Sequence, residues 1–406
     1  MRGALSGYRI LDMTRVLAGP WATQLFADLG AEVIKIERID TGDSTRKFGP
    51  FFKSEDGQSK LASYFASANR GKKSLAIDFS RPEATDVVRS LACKCDVLIE
   101  NYKVGDLARF GLDYPELSKI HPGLVYCSIT GFGQTGPYRY RAAYDLILQG
   151  MSGLMSITGP REDEPGSSPY RTGVAMSDLN TGLYAATSVL AALLHRERRG
   201  EGQHIDLSLL EVQMALLANV AQGYLASGEE PERHGNRHPT ITPNQTCRCR
   251  DGYINIVAGS TGGQFQKLCD ALGCPELKTD SRFMDNPSRT RHRDILIPLL
   301  EARLMEQDRA YWVSKLEPLG VPCGTVNRVS EVFDDPQVRA REVVQTMQHP
   351  KAGAMSFVRN PIRFSKTPPQ HGLPPDLGEH SKEILRELAG LNDQQIEHLI
   401  EIGLVQ

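Results

Sequence analysis

Tyr8-Arg-Ile-Leu-Asp-Met13, the turn Thr14-Arg-Val-Leu-Ala-Gly-Pro20 and Gly30-Ala-Glu-Val-Ile-Lys-Ile-Glu37 read together as two strands flanking a helix over residues 19–29. Both flanking runs are apolar with little alternation, the pattern of strands buried on both faces of a parallel sheet. Pro20 falls in the first turn of the helix, where its missing N–H leaves nothing unpaired. This βαβ unit predicts an α/β fold with a Rossmann-like parallel sheet. The turn holds one glycine where a dinucleotide fingerprint needs three, so a nicotinamide site does not follow.

The alternation continues outward. Residues 74–78, 96–100, 124–130 and 204–210 read as strands, 82–93 and 211–225 as helices. A polar stretch over 227–238 marks a boundary. Beyond it, Asp251-Gly252 gives a hairpin signal between 246–250 and 253–258, and helical patterns follow at 265–272, 294–305 and 310–319. The expected organisation is a large Rossmann-like domain beginning with 1–226, a smaller α+β domain over 227–320, and a return to the large domain over 321–406. That last part carries strands near Met355 and Ile362, a proline-rich arm over 368–375 and a helix over 381–388.

The chain has 406 residues, a formal net charge of −2 and eight cysteines. The charge gives no reason to expect a nucleic-acid partner, and no apolar run reaches the roughly 18 residues of a membrane span. Cys93/Cys95 and Cys247/Cys249 are C-x-C pairs without a two-by-two zinc spacing, so no metal is expected and the thiols read as reduced packing residues of a cytoplasmic protein.

Among candidate functional residues, Asp178 comes first. The run Arg171-Thr-Gly-Val-Ala-Met-Ser-Asp178 delivers it to the start of a helix that ends in Arg196, Arg198, Arg199 and Gly200. A carboxylate among free N–H groups at the positive end of a helix is expected to stay ionised at neutral pH; in isolation it reads as an N-cap. Tyr144 and Asp145 stand at another helix start. Arg38 and Arg46, at and beyond the carboxyl end of the second strand, are candidate phosphate or carboxylate clamps, since open parallel sheets bind ligands at such ends. Gly131-Phe-Gly-Gln-Thr-Gly136 is a glycine-rich loop able to approach a ligand closely.

Taken together, Arg15-Val-Leu-Ala-Gly-Pro20, Leu29-Gly-Ala-Glu-Val-Ile-Lys-Ile-Glu-Arg38, Asn69-Arg-Gly-Lys-Lys-Ser74, Glu100-Asn-Tyr102, Ser128-Ile-Thr-Gly-Phe-Gly133 and the Asp178 stretch resemble the family III CoA-transferases (CaiB/BaiF family) over nearly the whole chain. Through Cys127-Ser-Ile-Thr130, Met151-Ser-Gly-Leu-Met155 and Gly173-Val-Ala-Met176 the chain is most similar to the succinyl-CoA:glutarate group of that family. The resemblance implies an interlocked, ring-like homodimer, and CoA transfer from succinyl-CoA to a small dicarboxylate such as glutarate or itaconate. It makes Asp178 the nucleophile of an aspartyl-CoA thioester pathway and places Tyr144 and Asp145 in the same site. It carries Arg38, Lys72, Asn101 and Lys103 over to CoA, and it makes Gly259, Gly262, Gly263 and Gln264 a flap over the nucleophile. CoA enters as a substrate, with no permanently bound cofactor. Arg15, Arg46 and Arg171 are the candidates for the acceptor carboxylate, with Arg70 in reserve. This chain has Arg15 and Leu17 where some members carry His and Gln, a departure from the formate and oxalate pattern. The alternatives are another acyl-CoA:carboxylate transferase, such as one using formyl-CoA, or a 2-methylacyl-CoA racemase-like isomerase, where Tyr144 stands in place of a basic histidine.

Overall fold

The computed structural model describes residues 3–53, 61–259 and 263–406. By internal contact the chain forms two compact units. The larger comprises Met1–Leu154, Arg171–Glu229 and Glu342–Gln406.

Its first part runs β1 (Arg9–Met13), α1 (Ala18–Asp28), β2 (Glu32–Glu37), α2 (Ser63–Asn69), β3 (Lys73–Ala76), α3 (Pro82–Ala92), β4 (Val97–Glu100), α4 (Tyr114–Ile120), β5 (Val125–Thr130), α5 (Asp145–Met151), α6 (Met176–Arg199), β6 (Gln203–Ser208), α7 (Leu209–Ala215) and α8 (Ala218–Ser227). The six strands make one parallel sheet in the order β3-β2-β1-β4-β5-β6. Strand order reverses between β1 and β4, so their carboxyl ends open the crevice where such sheets take ligands. Alternate residues feed two cores: Leu11, Ile34, Leu98 and Tyr126 on one face, Ile10, Val33, Ile99 and Val125 on the other. Burial on both faces is the physical source of the unbroken apolar runs. Over the second face α1 crosses α6 so closely that a Cβ at Gly182 would lie 2.7 Å from the Ala18 carbonyl oxygen.

The smaller unit comprises Met155–Tyr170 and Glu230–Arg341. It contains an antiparallel sheet of β7 (Asn244–Cys249), β8 (Gly252–Val257) and β9 (Cys323–Thr325), with α9 (Gln264–Leu272), α10 (Asn286–Arg291), α11 (Arg293–Leu304), α12 (Arg309–Leu316), α13 (Val329–Asp334) and α14 (Pro336–Ala340). The larger unit then resumes with the hairpin β10 (Val344–His349) and β11 (Gly353–Val358), followed by α15 (Ser381–Glu387) and α16 (Asp393–Glu401).

Three expectations need correction. The small unit runs to 341 rather than 320, because β9 pairs with β8, and it also claims residues 155–170. Arg233 holds that excursion through the Pro160 carbonyl at 3.0 Å and the Ser167 hydroxyl at 3.3 Å, and Arg237 holds Glu164 at 3.1 Å. The helix expected over 211–225 is two helices, broken where Ala218 takes a positive φ of 43°. Ile362 lies outside any strand. The arm after it lies along its own unit, where Gln370 N–H donates to the Asp28 carbonyl, Gly71 N–H to that of Leu373, and Arg46 to that of Pro375.

Candidate active site

Asp178 is the third residue of α6. Ala175, in the N-cap position, has no side chain to satisfy the first N–H groups, and a neighbouring helix does so instead. Asp145, the first residue of α5, accepts from Ser177 N–H at 2.8 Å through one oxygen and from Gln149 Nε2 at 2.7 Å through the other. The fully buried Gln149 also accepts from the Thr172 N–H at 2.9 Å and hydroxyl at 3.1 Å, so one amide ties α5 to the segment entering α6. Ser177 Oγ donates to Gln213 at 3.0 Å.

This framework leaves the Asp178 carboxyl against Asp145, with no hydrogen-bond donor to it among the described residues. Burial first, and the Asp145 charge second, push its pKa up to about 7. The expectation of a fully ionised carboxylate at neutral pH is thereby corrected. The nearby N–H of Ser177 is spent on Asp145, so the helix terminus does not offset desolvation at Asp178. Since only the carboxylate is nucleophilic, kcat/KM should rise with pH through about 7, level off above it and fall to about one-tenth of the plateau at pH 6. A steady-state profile between pH 5.5 and 8.5 checks this; a rate flat to pH 5.5 would contradict it.

Tyr144 is the N-cap residue of α5, but its side chain makes no cap and is 71% exposed. Tyr64 on α2 is a site residue the sequence reading missed. Its phenol pKa is raised by burial and then by the charges of Asp178, Asp145 and Asp43, which places a neutral hydroxyl-bearing ring in the field of the candidate nucleophile. Nothing in the Ser63–Asn69 pattern singles it out, because that field comes from α5 and α6. In the glycine-rich loop, Gly133 N–H donates to Thr130 Oγ1 and Gln134 N–H to Asp206 on β6, so these amides are engaged within the fold.

At the crevice between β1 and β4, Asn101 accepts from Arg15 N–H at 2.9 Å and donates to the Arg15 carbonyl at 2.8 Å. The Asn101 amide therefore clamps the Arg15 loop rather than standing free for CoA. Val16 has a φ of 70°, a costly conformation for a β-branched residue, and the Asp43 carboxylate holds its N–H at 3.2 Å. The Arg15 guanidinium lies 4.7 Å from the Tyr102 ring centre and shares the crevice lining with Arg38. Lys103 and Arg171 are exposed.

Lys72 and Arg46 are elsewhere engaged. Lys72 Nζ is completely buried and donates to Asp12 at 3.0 Å, the Pro20 carbonyl at 3.0 Å and Asn69 at 2.8 Å. Burial lowers its pKa to about 8, and Asp12 opposes that. It cannot reach a CoA phosphate from there. Arg46 forks onto Glu37 at 2.6 and 2.8 Å over the Phe65 ring, and Arg70 forks onto Asp28 at 2.6 and 2.9 Å. Each spends its third nitrogen on a backbone carbonyl, Arg46 on Pro375 and Arg70 on Val358, so all three nitrogens of both guanidinium groups are engaged within the fold. Lys35 completes the buried network on Asp43 at 3.1 Å.

Of the expected flap, Gly262 lies outside the described residues. Gly259 packs under the Thr242 carbonyl, its own carbonyl accepting from Arg289 at 3.1 Å; Gly263 (φ 70°) is the N-cap residue of α9, and Gln264 opens that helix. All three belong to the smaller unit.

Comparison with known proteins bears on this geometry. A family model described as CoA-transferase family III matches residues 5–381. The chain is 45% identical over 386 residues to a succinate–glutarate CoA-transferase of Agrobacterium fabrum, covering 95% of each chain. It is 42% identical over 402 residues to a succinyl-CoA:glutarate CoA-transferase of Homo sapiens, covering 99% of this chain and 90% of the relative. The crystal structure of a CaiB/BaiF family protein from Brucella suis superposes with a TM-score of 0.87 at 44% identity, covering 96% of this chain and all of that one.

Proposed function

The chain belongs to CoA-transferase family III, and from that premise we propose that it moves CoA from succinyl-CoA to glutarate through Asp178. The observation that carries the chemistry is the half-buried Asp178 carboxyl, which no described donor stabilises in its resting form. A poorly solvated carboxylate is the stronger nucleophile. It attacks the thioester carbonyl of succinyl-CoA and expels CoA thiolate, leaving a mixed anhydride. The thiolate attacks the aspartyl carbonyl and releases succinate, which leaves CoA on Asp178 as a thioester. Glutarate carboxylate attacks that thioester, and the returning thiolate takes the glutaryl group and frees Asp178. Each thioester broken is matched by one formed, so the cycle needs no phosphoryl donor.

Asp145 serves by holding Ser177 N–H and raising the Asp178 pKa. Arg15 and Arg38, at the ligand crevice, are the cations this reading gives to CoA or the acceptor, and Lys103 and the exposed Arg171 complete the supply. In an acceptor panel with succinyl-CoA, glutarate should react at least about tenfold faster, in kcat/KM, than butyrate, which lacks the second carboxylate; the factor corresponds to about 1.4 kcal/mol. Equal use of butyrate would remove the dicarboxylate assignment. Itaconate belongs in the same panel.

A homodimer is part of the proposal. Helix α8 has no buried residue, and Leu183, Leu194, Met214, Tyr224 and Leu225 on α6–α8 are exposed, an apolar supply that an isologous partner would cover. Light scattering should give twice the chain mass, and a monomer would contradict it. No helix among the described residues is long and apolar enough to cross a membrane. The eight free cysteines suit a reducing compartment such as the cytoplasm.

A further inference from the structure

Four buried carboxylates of the larger unit each have a cation: Asp12 with Lys72, Asp28 with Arg70, Glu37 with Arg46 and Asp43 with Lys35. Glu100 is buried to 6% exposure at the carboxyl end of β4 and has no ion pair among the described residues. Its partners are neutral. Oε2 accepts from Tyr102 N–H at 2.7 Å, and the carboxyl is hydrogen-bonded to the Ser128 hydroxyl, which lies opposite it on β5. Ser128 Oγ lies 3.0 Å from His204 Nε2, and His204, on β6, is exposed and stacked on Tyr114. A buried acid is thus joined to solvent through one hydroxyl and one imidazole.

The position of this acid matters for the crevice. By holding Tyr102 N–H, Glu100 folds back the turn that presents the Tyr102 ring to Arg15 and the Asn101 amide to the Arg15 backbone. Around Glu100, Asp106 adds negative charge, and Tyr102, Tyr126 and Cys127 are uncharged neighbours whose own ionisation it opposes. His204 keeps an exposed edge, and partial desolvation of its ring favours the neutral form, with Asp206 opposing. Arg15, Lys35 and Arg38 act on the Tyr102 phenol, whereas no described cation is among the groups that act on Glu100.

We infer that Glu100 is a proton-linked positioning residue: when the CoA polyanion occupies the Arg15–Arg38–Tyr102 crevice, Glu100 takes up a proton from solvent through His204 and Ser128. The inference rests on the CoA-transferase reading, which puts a phosphate-bearing ligand at this crevice. Burial raises the Glu100 pKa to about 7, so both forms are present in the free protein near neutrality. A polyanion that also excludes water raises it further, and binding is coupled to protonation. The proton balance closes without a co-reactant. One proton enters from solvent at His204 Nδ1, Nε2 passes its own proton to Ser128 Oγ, and Ser128 passes its hydroxyl proton to the carboxylate. The neutral carboxyl then donates to Ser128 Oγ while Oε2 keeps Tyr102 N–H, so the turn survives in both states.

The test uses free coenzyme A and calorimetry at pH 7.5 in two buffers of different ionisation enthalpy. Both proteins carry Asp178→Asn, so that the nucleophile does not contribute to the count. Protons taken up per CoA bound should be larger with Glu100 than with Glu100→Gln, which keeps both hydrogen bonds but cannot titrate; the CoA phosphates contribute equally to both. CoA affinity should fall with rising pH between 7 and 8.5 by about threefold or more in the Glu100 protein and hardly at all in the Gln variant. Equal proton uptake in the two proteins overturns the inference while leaving the transferase reading intact. Absence of CoA binding to either overturns that reading itself. Infrared difference spectra of the Asp178→Asn protein provide a check without the second substitution: CoA should add a protonated carboxylic-acid band, and its absence counts against the proposal.

Discussion

Asp178→Ala should lower kcat by at least about 1,000-fold, roughly 4 kcal/mol of barrier, with CoA affinity within a few-fold of wild type. The substitution removes the atom that becomes acylated, and no neighbour can replace it. Asp145 is fixed by Ser177 N–H and Gln149, both its oxygens engaged, and aimed at the helix terminus. Stability should not fall. Asp178 contributes no described hydrogen bond, and its ionised form is destabilised where it sits. With a folded pKa near 7 against an ordinary value of 3.8, the folded protein binds the extra proton between those pH values, so Asp178 lowers stability as pH rises through that window. The variant should therefore gain on wild type as pH rises, with a larger stability advantage at pH 8 than at pH 5 by urea denaturation. A variant that loses activity together with stability would point to a structural aspartate.

Lys72→Met should destabilise the protein by about 3–5 kcal/mol, because it leaves Asp12 buried without its cation. Asp12 is completely buried, and although burial alone would raise its pKa, Lys72 and Lys35 hold it far below the usual carboxylate range. Thr14 and Thr23 hydroxyls satisfy it further, but they carry no charge. Urea denaturation should show the loss, and adding Asp12→Asn should recover part of it by removing the stranded charge. The KM for succinyl-CoA of the folded fraction should stay within about threefold of wild type, less than 1 kcal/mol. A large rise in KM with stability intact would return Lys72 to the CoA phosphates.

The sheet was legible because its strands are buried on both faces, and Ile10, Leu11, Val33 and Ile34 therefore stand in unbroken apolar runs. Asp178 was legible through the motif that surrounds it. Its protonation was not, since that depends first on burial and then on Asp145, brought up from another helix to take Ser177 N–H. Spacing could not separate cations that face a ligand from those that serve the fold. Arg15 and Arg38 line the crevice, whereas Lys72 and Arg46 neutralise the buried Asp12 and Glu37, and all four follow strand ends or turns in the same way. Glu100 and Tyr64 acquire their meaning from β5, α5 and α6, which no local pattern reports. The excursion over 155–170 was missed for a similar reason: arginines in the 230–238 stretch claim it for the smaller unit.

The central claim is a covalent aspartyl-CoA intermediate at Asp178. Intact mass spectrometry after incubation with succinyl-CoA, with and without hydroxylamine, tests it most directly. The account predicts a CoA adduct on the wild-type chain that maps to Asp178, is discharged by hydroxylamine and is absent from Asp178→Ala. No adduct on wild type, together with exchange of the α-proton of a branched acyl-CoA, would contradict it and indicate an isomerase.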